Sequence, residues 1–149
     1  MKKHTVIALC VLLALSLVAV ISFVVWQTEA ERVDEITERA EAGEAAAQLR
    51  LGQLYWQGND HAGLEPNNEL AEQWLQTAAV QGHQPAQHAL GVFYQNIGDD
   101  VGAYAWLSIA ASATNGNTAQ LRDVSAGRMN AAELAEARKL IVEVRGRLK

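Results

Sequence analysis

The chain has 149 residues, a formal net charge of −5 and a composition half hydrophobic, which leaves room for one domain once a terminal apolar segment is set aside. Its single cysteine, Cys10, excludes an internal disulfide and a multi-cysteine metal site. All 17 acids fall after residue 28, and residues 29–100 hold 13 acids against three arginines, a balance that argues against a nucleic-acid partner.

In chain order the first element is apolar. Residues 5–28, TVIALCVLLALSLVAVISFVVWQT, contain no charge, glycine or proline. As a helix rising about 1.5 Å per residue they reach roughly 36 Å, enough for a hydrocarbon core of about 30 Å. A cleaved signal peptide has a shorter apolar stretch, although Thr28-Glu29-Ala30 is a tolerable exit. A lipoprotein signal needs small residues before its cysteine, and here Leu9 precedes Cys10. The reading that fits best is an uncleaved transmembrane signal anchor. Lys2 and Lys3 precede it and Glu29, Glu31, Asp34 and Glu35 follow, so the positive-inside rule puts the N-terminus in the cytoplasm and the rest of the chain, in a bacterium, in the periplasm.

The next stretch has neither glycine nor proline up to Ala42, and Val33, Ile36 and Ala40 share a helical face. Two readings remain open: the anchor helix runs on into the exported domain, or a short frayed linker over Thr28–Arg32 separates them.

Beyond it the chain repeats itself. Ala47-Gln48-x-x-Leu51-Gly52-x-x-Tyr55 returns as Ala86-Gln87-x-x-Leu90-Gly91-x-x-Tyr94, 39 positions on. The segment beginning Trp74-Leu75 returns at Trp106-Leu107, 32 positions on, so the intervening loop is seven residues shorter in the second copy. Each copy reads as two helices. Gly52 and Gly91 sit inside helical patterns, where glycine costs about 1 kcal/mol relative to alanine; its recurrence predicts a second helix packed close against it. Leu51, Tyr55, Leu90 and Tyr94 are the expected core. Gly82 and Gly116 are expected to end the second helices.

This pattern resembles the Sel-one-like repeat (SLR), a relative of the tetratricopeptide repeat. The matching residues are the Ala-Gln-x-x-Leu-Gly-x-x-Tyr and Trp-Leu-x-x-Ala-Ala segments and the closing Gly82-His83 and Gly116-Asn117. The loop GNDHAGLEPNNE departs from the family's glycine-rich turn. The resemblance implies an all-α fold, a short right-handed α/α superhelix, preceded by the N-terminal transmembrane helix read from the apolar run. The chain then divides into a cytoplasmic tail (1–4), the anchor (5–28), a connecting helix or degenerate half repeat (29–43), two repeats (44–83 and 84–117) and C-terminal capping helices (118–149). In the last part Asn130 and Glu133 form a capping-box pattern ahead of the apolar stripe Leu134, Ala137, Leu140, Ile141 and Val144.

No catalytic constellation emerges. His4, His61, His83 and His88 lack the i, i+4 spacing of a helical metal pair, and no serine lies in a nucleophile motif. The expectation is a non-enzymatic protein without metal or cofactor. Helical solenoids bind along the surface formed by the first helices of successive units; there Gln48, Gln53, Trp56 and Gln57, with Gln87, Val92 and Gln95 in the next unit, are read as pointing away from the core toward a partner. Trp56 has a competing reading as packing under the following loop or against lipid headgroups. The resemblance implies an adaptor or accessory subunit of an envelope complex, its partner another envelope or inner-membrane protein. The alternatives are a soluble periplasmic binding module released after Ala30, or a cell-wall-related enzyme.

Overall fold

The computed structural model describes the backbone of residues 2–111 and 116–148, and all their side chains except those of 2–14, 25–31, 61 and 116. Among the described residues seven α-helices follow one another: α1 (Lys2–Glu41), α2 (Ala45–Gln57), α3 (Asn68–Val80), α4 (Gln84–Ile97), α5 (Asp100–Ala110), α6 (Gly116–Arg128) and α7 (Ala131–Arg147). A 3-10 turn, Asp60–Ala62, lies between α2 and α3, closed by an antiparallel bridge between Asn59 and Leu64.

Punctuation by small and amide residues sets the helix limits. Gly43 and Gly82, one repeat apart, take φ of +93° and +80°, a left-handed conformation that glycine adopts without strain. Asn67 caps α3 by accepting from the Leu70 N–H at 3.0 Å, and Asp99 caps α5 by accepting from the Gly102 N–H at 2.9 Å. Asn130 and Glu133 form the full capping box at the start of α7. Gly116 departs from expectation: α5 ends at Ala110 and Gly116 opens α6 instead of closing the helix before it.

The helices pack as neighbours in chain order from α1 to α6, α7 returns to lie on α5, and α2 touches α4 as α4 touches α6. That is the contact pattern of stacked helix pairs. The core is built mainly of alanine and leucine, with Leu51, Leu75, Leu90, Phe93 and Leu107 fully buried. Tyr55 and Tyr94 are half-buried against it.

Gly52 and Gly91 show why the repeat carries glycine there. A methyl group at Gly52 would lie 2.8 Å from Leu75 Cγ, and one at Gly91 only 2.6 Å from Leu107 Cγ. Each glycine therefore admits the leucine of the second helix of its own unit, and the arrangement is the same in both units. On the inner side of α7, Ala137 and Val144 are buried while Leu140 and Ile141 pack on the core, closing the stack.

α1 runs from Lys2 to Glu41 as one helix. Its last turns carry Ile36 and Ala40 into a small core with Ala47 and Leu51. From Leu15 to Val24 its described side chains are exposed, with Leu15 at 61% and Val24 at 51% of their full surface. Among the described residues no helix is long and apolar enough to cross a membrane. The expected span over 5–28 lies partly outside the described side chains, which within it cover 15–24.

Candidate functional site

The first helices of successive units, α2 and α4, lie side by side, and the start of α6 adds a third wall. Between them runs a groove of about 480 Å³ lined by Leu49, Gln53, Gln84, Pro85, His88, Ala89, Asn117 and Thr118. Leu49 and Gln53 are one helical turn apart on α2, as Pro85 and Ala89 are on α4, so each helix presents one stripe to the groove. The floor is apolar. The walls carry side-chain amides, an imidazole and a hydroxyl, with no carboxylate, lysine or arginine among them. Thr118 Oγ1 sits 3.2 Å from His88 Nδ1, tying the start of α6 to α4. Gln84 Nε2 reaches the Ala110 carbonyl at 3.4 Å.

Of the seven residues expected at the partner surface, Gln53 lines this groove. Val92 is half-buried and Gln57 is exposed. Gln48 and Gln87 correct the expectation that they point away: they are only 4% and 5% exposed. Gln48 Nε2 donates to the Ala40 carbonyl at 3.0 Å, and Gln87 Nε2 donates to the Ala79 carbonyl at 3.2 Å. Both acceptors lie in the last turn of the preceding helix and also accept from the N–H of the glycine three positions on, Gly43 at 3.0 Å and Gly82 at 3.1 Å. The pair is thus a repeated clasp that brings a second donor to a helix-end carbonyl and satisfies a buried amide. Gln48 Oε1 also accepts from Gln81 Nε2 at 2.6 Å.

Trp56 and Gln95 are held by their neighbours as well. The Trp56 ring meets Phe93 edge-on, with centroids 5.6 Å apart and planes at 79°, so it packs between units while keeping part of its surface open. Gln95 Nε2 donates to the Leu121 carbonyl and to Ser125 Oγ, each at 3.0 Å, and so fastens α4 to α6. Leu49, Gln84, Pro85, His88, Ala89, Asn117 and Thr118 were not foreseen. Leu49 could have been found, since it shares a stripe with Gln53; Asn117 and Thr118 reach the groove only through the packing of α6.

Tyr94 is a titratable group held against the repeat core. Its hydroxyl donates to Glu72 Oε1 at 2.5 Å, linking α4 to α3. Burial first, and then the adjacent Glu72 carboxylate, push this phenol well above its ordinary range. Among the described residues, His83 Nδ1 and Ser108 Oγ are buried without a hydrogen-bond partner. Among the described residues no group of three or more His, Cys, Asp or Glu is placed to hold a metal ion.

No family model matches the chain, and no curated protein does. Among solved structures it is similar to a protective antigen present in uropathogenic Escherichia coli strains, described as displaying an SLR fold. The TM-score is 0.70 with 29% identity over 80% of this chain. The match covers 26% of that structure, so this chain corresponds to about a quarter of its length. The duplicated glycine contacts, the duplicated glutamine clasp and this likeness agree: the chain is an SLR-like helical repeat, a fold that points to protein–protein interaction.

Proposed function

We propose that this chain is a membrane-anchored adaptor whose repeats, on the periplasmic side of a bacterial inner membrane, hold a segment of another envelope protein in the groove between α2 and α4. The observation that carries the reading is the groove itself. It lies where solenoids bind, on the first helices of adjacent units, and it combines an apolar floor with amides able to pair with a peptide backbone. The lack of ionised side chains in its lining favours an uncharged stretch, because a charged group placed there would lose hydration without gaining an opposite charge.

The anchor reading is supported by the exposed apolar run from Leu15 to Val24, a surface unlike that of a water-facing helix. The charges flanking residues 5–28 favour the orientation with the repeats outside the cytoplasm. The role proposed is binding, without chemistry of its own.

The test places a photoreactive amino acid at position 53 of the full chain in intact membranes, with identification of the adducts by mass spectrometry. One dominant envelope protein, lost when Ala89→Glu fills the floor, is the expected result. Adducts confined to lipid, or a pattern unchanged by Ala89→Glu, would sink the groove reading. The mass of the mature N-terminus separates an anchored chain from one released after Ala30.

A further inference from the structure

We propose that copies of this chain associate head to tail, the outward face of α7 on one copy docking against the outward face of the last turns of α1 on the next. This rests on two helix faces and is independent of the groove.

α7 turns Ala137 and Val144 inward, and Glu136, Lys139, Leu140 and Glu143 line a cleft with Val101 of α5. That leaves Ala135, Arg138, Val142 and Arg145 on the outer side, all exposed and spaced i, i+3, i+7, i+10 along one stripe. Val142 is 74% exposed, more than any of the large apolar residues of α1 between Leu15 and Val24. Arg138 and Arg145 make no ion pair among the described residues, whereas Arg147 is taken by Glu143. The outer face of α7 thus presents a valine framed by two guanidinium groups that have no ion pair among the described residues.

The other end is complementary. Asp34, Glu38 and Glu41 stand exposed on α1 at i, i+4 and i+7, none of them ion-paired among the described residues. The one base among them, Arg39, is engaged by Glu35 at 3.6 Å and Glu44 at 2.7 Å, so the stripe stays negative. Asp34 to Glu41 and Arg138 to Arg145 each span seven residues, about 10.5 Å along a helix. The outer acids and the outer arginines therefore match in spacing as well as in sign, and the exposed Ala42 beside Glu38 leaves room for Val142. The whole chain shares the polarity: residues 29–100 carry 13 acids and three bases, and residues 101–149 four acids and seven bases.

A second copy is the occupant these observations select, because both halves of the match are present in one sequence. Faces of opposite charge cannot pair with themselves, so the contact joins two different faces, α7 of one copy to α1 of another.

The test uses full-length chains carrying Cys10→Ser and two different tags, one with Glu38→Cys and the other with Val142→Cys, co-expressed and treated with a short bis-maleimide. The mixed adduct is expected to dominate over either like-with-like adduct and to fade as salt rises. Arg138→Glu with Arg145→Glu on the Val142→Cys chain lowers its yield about tenfold. Asp34→Lys with Glu41→Lys on the partner restores it. A mixed yield no higher than that of an exposed control, Gln57→Cys, or a charge reversal that the reciprocal change fails to rescue, overturns the proposal. Positions 34, 38, 41, 57, 138, 142 and 145 are all exposed, and unchanged circular dichroism separates loss of contact from loss of fold.

Discussion

Gly52 and Gly91 do opposite work from Gly127, although all three sit inside helices. At Gly91 an added methyl would meet Leu107 Cγ at 2.6 Å and the Leu107 backbone nitrogen at 3.1 Å, atoms that cannot swing aside as a flexible side-chain tip could. At Gly127 it would meet nothing within 4 Å. Gly91→Ala is therefore expected to destabilise by about 1–3 kcal/mol despite alanine's better helix propensity. Gly127→Ala should stabilise by up to about 1 kcal/mol. Urea unfolding of both variants decides the point, and equal shifts would show that helix propensity, not contact, governs Gly91. The close approach was legible in the sequence because glycine recurred at one place in each copy. The burial of Gln48 and Gln87 was not, although the spacing 48, 51, 55 puts Gln48 on the same face as Leu51 and Tyr55. Glutamine's polarity argues for the surface and its position for the core. What the sequence did not display was the acceptor, a carbonyl at the end of the preceding helix.

Between helices, Trp56 is the clearest case for measurement. Its ring lies edge-on against Phe93, a fully buried residue, and so joins α2 to α4. Trp56→Ala removes that contact and much of the ring's buried area, with an expected loss of about 2 kcal/mol, below the range for a wholly buried tryptophan. Denaturation monitored by circular dichroism gives the number. A variant as stable as the parent that no longer captured a partner would return Trp56 to the binding surface. The helices were readable because apolar spacing and caps agree locally: Asn67, Asp99 and Asn130 each sit where a helix begins. The groove was only half readable. Gln53 belongs to a stripe visible on α2, but the wall made by Asn117 and Thr118 exists only because α6 folds back beside α4.

At the scale of the whole molecule, stability should depend on pH through Tyr94. Its phenol holds its proton more tightly in the folded chain than at the ordinary value of 10.0. The unfolded state therefore loses that proton first as pH rises. The associated stability is complete below about 10 and declines above it, toward the raised folded value. Denaturant midpoints measured at increasing alkaline pH should fall, and the fall should be shallower in Tyr94→Phe. An identical slope in both proteins would show that neither the burial of Tyr94 nor its Glu72 contact couples to folding.

The glutamine clasp has one more implication, for how such a protein can change length. Each amide reaches back eight residues, from Gln48 to Ala40 and from Gln87 to Ala79, and the two clasps are 87 − 48 = 39 positions apart. Excising residues 48–86 would join Ala47 directly to Gln87 and leave Ala40 again eight positions upstream, so the splice regenerates the joint it removes. Duplicating the same block would add a unit with its joint already in place. Shortened and lengthened chains should both refold with native-like helicity, whereas an excision two residues longer or shorter should not, giving this architecture a ruler whose only permitted graduation is the repeat.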